Sequence, residues 1–117
     1  MRPALIVGGA MYVLFGSAAA AHAFLDEASP RVGSVVHAAP REITLRFTQE
    51  IEPAFSGATI TDASGQRADE DRPSISGNVM RVPLRPVGAG RYRVTWRVLS
   101  VDTHTSEGSF SFTVDKQ

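Results

Sequence analysis

Hydrophobic and polar residues alternate with a period of two in several segments of this chain. The clearest are residues 91–98, where Tyr, Val, Trp and Val alternate with Arg and Thr, and residues 109–114, where Phe, Phe and Val alternate with Ser and Thr. Shorter segments of the same kind are 43–47, 58–62 and 79–84. Because successive side chains of a strand point to opposite faces, this spacing predicts strands with one buried face and one solvated face.

Glycine-containing turn signals separate the predicted strands, at residues 64–65, 76–78 and 88–90. The polar stretch 62–73 predicts a long loop, and the prolines at the ends of residues 30–40 bracket a connector. No segment has the 3.6-residue period of a long amphipathic helix. About six or seven short strands joined by turns predict an all-β fold, a small antiparallel Greek-key sandwich or barrel.

The chain begins with the features of a secretory signal peptide. Arg2 supplies positive charge, residues 4–15 are mostly apolar, and residues 17–21 are small. This pattern predicts that residues 1–21 are removed and that residues 22–117 form the mature domain. Two alternatives stay open. The uncharged stretch is nearly long enough for a transmembrane anchor, and cleavage two residues later would also satisfy the small-residue rule.

The composition excludes several classes of protein. The 117 residues include 12 Lys and Arg against 12 Asp and Glu, so the formal net charge is zero, and a nucleic-acid binder that relies on clustered basic residues does not fit. A chain of this length is too short for a two-domain enzyme. The chain has no cysteine, which excludes disulfides, zinc ribbons and thiolate metal sites. Any chemistry must therefore come from histidine, carboxylate, hydroxyl or backbone groups.

Two of the three histidines stand where they can bind a metal ion. His22 is the first residue of the predicted mature domain, where its α-amine and its imidazole can chelate one ion. Asp102 and His104 follow the strongest predicted strand, and residues two apart in an extended segment point to the same side. Together these groups offer the nitrogen and oxygen donors that tetragonal Cu(II) prefers. The alternatives are that His22 is an accident of the cleavage site and that residues 102–104 form a solvated turn.

Several segments of the mature chain resemble the periplasmic CopC copper-resistance proteins. The specific segments are the N-terminal histidine, the block 92–104 that contains W-R-x-x-S-x-D-x-H, and the G-S-F-x-F-x-V strand at 108–114. Weaker matches are residues 23–25, 29–33, 43–47 and 55–58. The resemblance therefore covers almost the whole mature chain.

This resemblance implies a cupredoxin-like or Ig-like β-barrel that binds one Cu(II) per monomer. The implied ligands are the amine and imidazole of His22, the carboxylate of Asp102 and the imidazole of His104. The implied role is copper resistance and copper homeostasis in the bacterial periplasm. There the protein would act as a carrier or buffer beside an inner-membrane CopD-type partner.

The chain departs from some CopC proteins in two respects. Some members hold Cu(I) in a Met-rich loop, whereas residues 62–73 contain neither Met nor His, so the chain resembles a Cu(II)-only member. Some members also place a Glu near the Cu(II) ion, and Gln49 stands at the matching position. Glu50, one residue away, would face the opposite side in a regular strand, so this ligand is not carried over.

Two other functions compete with copper carriage. A histidine-brace copper monooxygenase also uses an N-terminal histidine, but a ligand from Asp102 would close the site, whereas a catalytic metal keeps a position for substrate. The prediction is therefore a protein that is not an enzyme. A metal-free secreted sandwich used for interactions is the third possibility, since fold alone does not specify function. The surface residues are predicted to include His37, Arg91, Arg93 and Arg97.

Overall fold

The computed structural model describes residues 23–115. The predicted signal peptide, residues 1–21, and the candidate ligand His22 lie outside the described residues. Within the described part of the chain, no helix has both the length and the apolar character needed to cross a membrane.

Eight β-strands form almost all of the regular structure between residues 23 and 115. The strands are β1 (Leu25–Ser29), β2 (Val35–Val36), β3 (Glu42–Phe47), β4 (Gly57–Thr61), β5 (Ser74–Ser76), β6 (Val79–Pro83), β7 (Gly90–Leu99) and β8 (Thr105–Val114). One short 3-10 turn, Pro53–Phe55, lies between β3 and β4. The five strands predicted from the alternation of apolar and polar residues correspond to β3, β4, β6, β7 and β8.

The strands form two four-stranded sheets, in the orders β1-β3-β6-β5 and β2-β8-β7-β4. The strand pairs within these sheets are antiparallel, except that β2 runs parallel to β8. Neighbouring strands such as β3 and β6 are not consecutive in the chain, because β4 crosses to the other sheet between them. The predicted all-β Greek-key sandwich is confirmed.

The core lies between the two sheets and is made by the alternating positions of the sequence. In β7 the four apolar residues of the pattern are buried and the residues between them are exposed. Trp96 lies edge-on to Phe47 of the other sheet, with the ring centroids 5.2 Å apart. Across the β7–β8 pair, Trp96 faces Gly108, where an added Cβ would stand 2.7 Å from the indole ring. A side chain at position 108 would therefore displace the indole of Trp96 from the core.

Three short strands are not predicted by the alternation pattern. β2 lies inside the connector that Pro30 and Pro40 bracket, and it is held only at the edge of its sheet by β8. β1 and β5 are the edge strands of the other sheet. None of these three strands contains two apolar residues spaced two positions apart, so no period is visible and their pairing depends on the neighbouring strand.

Candidate metal centre

The hairpin connection between β7 and β8, residues 100–104, carries the candidate ligands of the described chain. It packs against the segment that follows β3. The backbone N–H of Val101 donates to the carbonyl of Glu50 at 3.0 Å, and Ser100 forms an antiparallel bridge with Ile51. These backbone contacts hold the base of the connection on the sandwich, while its tip projects into solvent.

Asp102 and His104 lie side by side in this connection. Nδ1 of His104 is 3.3 Å from Oδ1 of Asp102, and the two side chains are 52% and 42% exposed, respectively. Two donor atoms at adjacent corners of a square plane, with bonds of about 2 Å, stand roughly 2.8 Å apart. The pair therefore needs only a small adjustment to hold one ion, and its nitrogen and oxygen donors fit Cu(II).

The proximity of the two candidate ligands results from a turn. Thr103, between them, has a φ of 70°, in the left-handed region. Its backbone N–H donates to the carbonyl of Ser100 at 2.9 Å. The predicted proximity of Asp102 and His104 is confirmed, but its predicted cause, an extended backbone, is wrong.

Ser100 lies beneath the two candidate ligands and is fully buried. Its hydroxyl hydrogen-bonds Oδ1 of Asp102. The hydroxyl oxygen of Ser100 is also 3.1 Å from the carbonyl oxygen of His104 and 3.4 Å from its backbone nitrogen. Ser100 is not among the residues predicted from the sequence. The signal that could have found it is the inward-facing series from Tyr92 to Val98, which Ser100 continues with the same period of two.

The hydrogen bond from Ser100 lowers the pKa of Asp102 below its ordinary value of 3.8. Desolvation opposes this shift, and the neighbouring His104 supports it. Asp102 is therefore a carboxylate at neutral pH, the state that metal binding requires. Among the ion pairs of residues 23–115, Asp102 is paired with His104 and with no arginine.

The described chain begins at the same end of the sandwich as the β7–β8 connection. Ala23 is fully buried. The N–H of Phe24 donates to Oγ1 of Thr48, and the N–H of Thr48 donates to the carbonyl of Phe24, both at 2.9 Å. Thr48 is two residues from Glu50, which is itself bonded to the connection. His22 lies outside the described residues, so its role as a ligand stays a prediction.

Residues 48–50 depart from the regular strand that was assumed for them. β3 ends at Phe47, and the next three residues are bends and coil. Gln49 is half-buried between the buried residues Phe47 and Ile51, whereas Thr48 and Glu50 are exposed. The period of two therefore continues beyond the end of β3, and Glu50 faces the opposite side from Gln49, as expected.

His37 is remote from the candidate ligands. Its Nδ1 is 3.4 Å from the carbonyl oxygen of Asp115, which follows the end of β8 opposite the β7–β8 connection. His37 is exposed, as are the three arginines on the outer face of β7, Arg91, Arg93 and Arg97. The prediction that these four are surface residues is confirmed.

The pair formed by Asp102 and His104 does not belong to a larger cluster of ligands in the described chain. Across residues 23–115, no three His, Asp or Glu side chains are arranged to hold a metal ion. Two protein donors leave a tetragonal ion half coordinated. A tetragonal copper site at this end of the sandwich needs further donors besides these two side chains.

Comparison with known proteins gives a consistent family. Residues 25–115 match the model of the CopC domain. The chain is 35% identical to copper resistance protein C of Escherichia coli, over an alignment of length 125 that covers 97% of each chain.

Two solved structures are similar to the sandwich described above. CopC from Methylosinus trichosporium OB3b has a TM-score of 0.77 and 34% identity, covering 82% of this chain and 96% of that chain. PcoC, a methionine-rich copper resistance protein from Escherichia coli, has a TM-score of 0.70 and 36% identity, covering 81% of this chain and 100% of that chain.

Proposed function

The chain belongs to the CopC family, and from that premise we propose that it is a periplasmic copper-binding protein of copper resistance and homeostasis. In this proposal each monomer holds one Cu(II) ion and acts as a carrier or buffer, without catalytic turnover. The observation that carries the proposal is the exposed pair of Asp102 and His104, held 3.3 Å apart. The name of the Escherichia coli relative, copper resistance protein C, supports copper as the ion.

The proposed ligands are the α-amine and imidazole of His22, the carboxylate of Asp102 and the imidazole of His104. Two arguments support His22. The described residues supply only two clustered donors, and a four-donor Cu(II) site needs two more. His22 directly precedes Ala23, which is buried at the same end of the sandwich as the β7–β8 connection.

The proposed oxidation state follows from the types of donor that the chain offers. Cu(I) prefers thiolate and thioether sulfur, whereas imidazole, amine and carboxylate donors suit Cu(II). The chain has no cysteine, and Met80, the one methionine of residues 22–117, is fully buried in the core. Reduction to Cu(I) is therefore a route by which the protein releases its ion.

The proposed role as a carrier follows from the accessibility of the ligands. Asp102 and His104 are about half exposed on a projecting turn, so an acceptor can approach the ion directly. Four protein donors would fill the square plane and leave no in-plane position for a substrate, as in closed metal sites. The proposed acceptor is an inner-membrane CopD-type protein, and residues 1–21 are the proposed export signal.

The first test is to export the full-length precursor in a bacterium and measure the intact native mass of the periplasmic product. The mass is measured before and after addition of one equivalent of Cu(II). We expect a product that begins at His22 and retains one copper ion. A product that begins at Phe24, or one that begins at His22 and retains no copper, would contradict the proposed site.

A second test removes single donors from the mature protein. An alanine placed before His22 moves the α-amine away from the imidazole and should weaken Cu(II) binding. His104→Ala should also weaken binding, whereas the matched control His37→Ala removes an exposed imidazole at the other end and should not. If His37→Ala and His104→Ala have equal effects on affinity, the assignment of His104 is refuted.

A further inference from the structure

We infer that Ser100 is a positioning residue whose buried hydroxyl holds Asp102 and His104 in the arrangement that binds Cu(II). This inference rests on the proposed function of that pair. It adds a residue that does not touch the ion but fixes the two residues that do.

The burial of Ser100 is the first step of the argument. Ser100 occupies the inward-facing position that follows Val98 in β7, and its exposed fraction is zero. The preceding inward positions hold apolar side chains. A buried hydroxyl is unfavourable unless it is hydrogen-bonded, so a serine at this position needs partners.

Every hydrogen-bond partner of the Ser100 hydroxyl belongs to a proposed ligand. The hydroxyl has one proton, which is donated to Oδ1 of Asp102. Its oxygen accepts from the backbone N–H of His104 at 3.4 Å, and the carbonyl of His104 lies 3.1 Å away. One side chain therefore contacts the carboxylate of the first ligand and the backbone of the second.

The location of Ser100 explains why these contacts can fix the ligands. Its backbone N–H donates to the carbonyl of His104 at 2.9 Å, and its carbonyl accepts from Thr103 at the same distance. Ser100 is also bridged to Ile51 in the segment after β3. The hydroxyl thus connects a buried, hydrogen-bonded part of the sandwich to side chains that are half exposed. Partners of this kind orient metal ligands before the ion arrives and reduce the ordering that binding requires.

A merely structural role for Ser100 makes a different prediction. A hydroxyl that only closes the turn would change the stability of the metal-free protein and leave the copper site alone once folded. A positioning hydroxyl acts through Asp102. Its loss would change the coordination of the bound ion and would matter much less when Asp102 is absent.

The experiment compares Ser100→Ala with the wild-type mature protein. The Cu(II) dissociation constant is measured by competition with a chelator, and the paramagnetic resonance spectrum of the loaded protein reports the coordination. We expect about 10–100-fold weaker binding and altered spectral parameters. Ser109→Ala is the matched control, because the Ser109 hydroxyl accepts a hydrogen bond from Arg93 on the exposed face; its affinity and spectrum should stay those of the wild type.

A double variant tests whether Ser100 acts through Asp102. In the wild-type background, Ser100→Ala should cause a large loss of Cu(II) affinity. In the Asp102→Ala background, adding Ser100→Ala should cause a much smaller loss. Ser100→Thr keeps a hydroxyl and should restore most of the affinity, and it also serves if Ser100→Ala does not fold. Equal losses in both backgrounds, or a Thr variant as weak as a folded Ala variant, would overturn the inference.

The outcomes distinguish this inference from the proposed function. Wild-type affinity in Asp102→Ala would refute the ligand assignment, and the role of Ser100 with it. Weakened binding in Asp102→Ala together with wild-type binding in Ser100→Ala would overturn the positioning role alone.

Discussion

Asp69 and Asp102 are both carboxylates with lowered pKa values, but their surroundings differ. Oδ1 of Asp69 accepts from the N–H of Ile60 at 3.0 Å and from Nε of Arg67 at 2.8 Å, and Oδ2 accepts from Nη2 of Arg67 at 2.7 Å. The Asp69 side chain is only 8% exposed. Asp102 is far more exposed, and its partners are the hydroxyl of Ser100 and the imidazole of His104.

The comparison shows that the partners of a carboxylate decide what it can do. A guanidinium neutralises Asp69 and occupies both of its oxygens in a two-bond arrangement, so Asp69 joins the loop 62–73 to β4 and has no capacity for a cation. A neutral hydroxyl holds Asp102 in place without cancelling its charge. Asp69 is therefore part of the fold, whereas the charge of Asp102 is available to a cation, as the proposed function requires.

The largest effect expected from this comparison is on copper affinity. Asp102→Asn removes the charge of a proposed ligand while keeping its shape. We expect Cu(II) binding to weaken by about 100-fold or more, because even residues that only support a ligand change affinity by about 10–100-fold. The dissociation constant is measured by chelator competition, with the fluorescence of Trp96, the single tryptophan, as a second signal.

Asp69→Asn is the matched control for this prediction. It makes the same chemical change at a carboxylate that is already neutralised by Arg67. The Asp69→Asn protein should bind Cu(II) with wild-type affinity. If the two variants weaken binding equally, the distinction between the two carboxylates is wrong.

The second effect is on stability, where Asp69→Asn should have the larger effect and Asp102→Asn the smaller one, the reverse of their order for copper affinity. Asp69→Asn removes charge-assisted hydrogen bonds from a buried site and should lower the free energy of unfolding by about 2 kcal/mol. Asp102→Asn changes an exposed side chain and should have little effect on the metal-free protein. Urea unfolding of the metal-free proteins at neutral pH measures both. A greater loss in Asp102→Asn than in Asp69→Asn would contradict this assignment.

The strands in which apolar and polar residues alternate could be predicted from the sequence, because this alternation shows which side chains are buried. β7 and β8 have ten residues each, enough for the pattern to repeat. β1, β2 and β5 are short edge strands, and their pairing is determined by neighbours that a single segment does not reveal. The same limit applies to Asp69, because one of its hydrogen-bond partners is the N–H of Ile60, nine residues earlier.

The candidate site was partly predictable for a different reason. Asp102 and His104 could be selected as candidate ligands from their types of donor, their spacing after a predicted strand and the resemblance to CopC proteins. The proximity of these two residues depends on the left-handed conformation of Thr103 and on the buried Ser100. No local sequence pattern predicts either feature. Ser100 could have been suspected only as a polar residue in an inward-facing position.

The third effect concerns acid. The hydrogen bonds from Arg67 lower the pKa of Asp69 from 3.8 to about 2, against the opposing effect of burial. A carboxylate with a lower pKa in the folded state stabilises the fold above its unfolded pKa, and the gap corresponds to about 2 kcal/mol. This stabilisation is present above about pH 4 and is lost as the pH falls towards about 2.

The measurement is the difference in unfolding free energy between the metal-free wild type and Asp69→Asn from neutral pH to acid. We expect this difference to shrink as the pH falls from about 4 to about 2. Asp102→Asn retains Asp69 and should therefore still lose stability in this window. A wild-type advantage over Asp69→Asn that is independent of pH would contradict the link to Asp69.

The two regions also differ in which residue takes the left-handed backbone conformation. In the loop that contains Asp69 it is Gly65, with a φ of 89°, whereas beside Asp102 it is Thr103, with a φ of 70°. A left-handed conformation is free of strain for glycine but disfavours an ordinary side chain by about 1–2 kcal/mol. The turn that carries the candidate ligands thus keeps a strain that the loop around Asp69 avoids.

Thr103→Gly relieves this strain and is the smallest effect that we predict. Glycine also gains freedom in the unfolded chain, which offsets about 0.5–1 kcal/mol of the relief. The metal-free protein should therefore be more stable than the wild type by up to about 1 kcal/mol, measured by urea unfolding. The matched control is Thr105→Gly, at the start of β8 opposite Leu99, where glycine should destabilise by roughly 1 kcal/mol. The hydrogen bonds of Ser100 and of the turn backbone impose the left-handed conformation on position 103 in both proteins. If Thr103→Gly lowers the free energy of unfolding as much as Thr105→Gly does, position 103 is not strained.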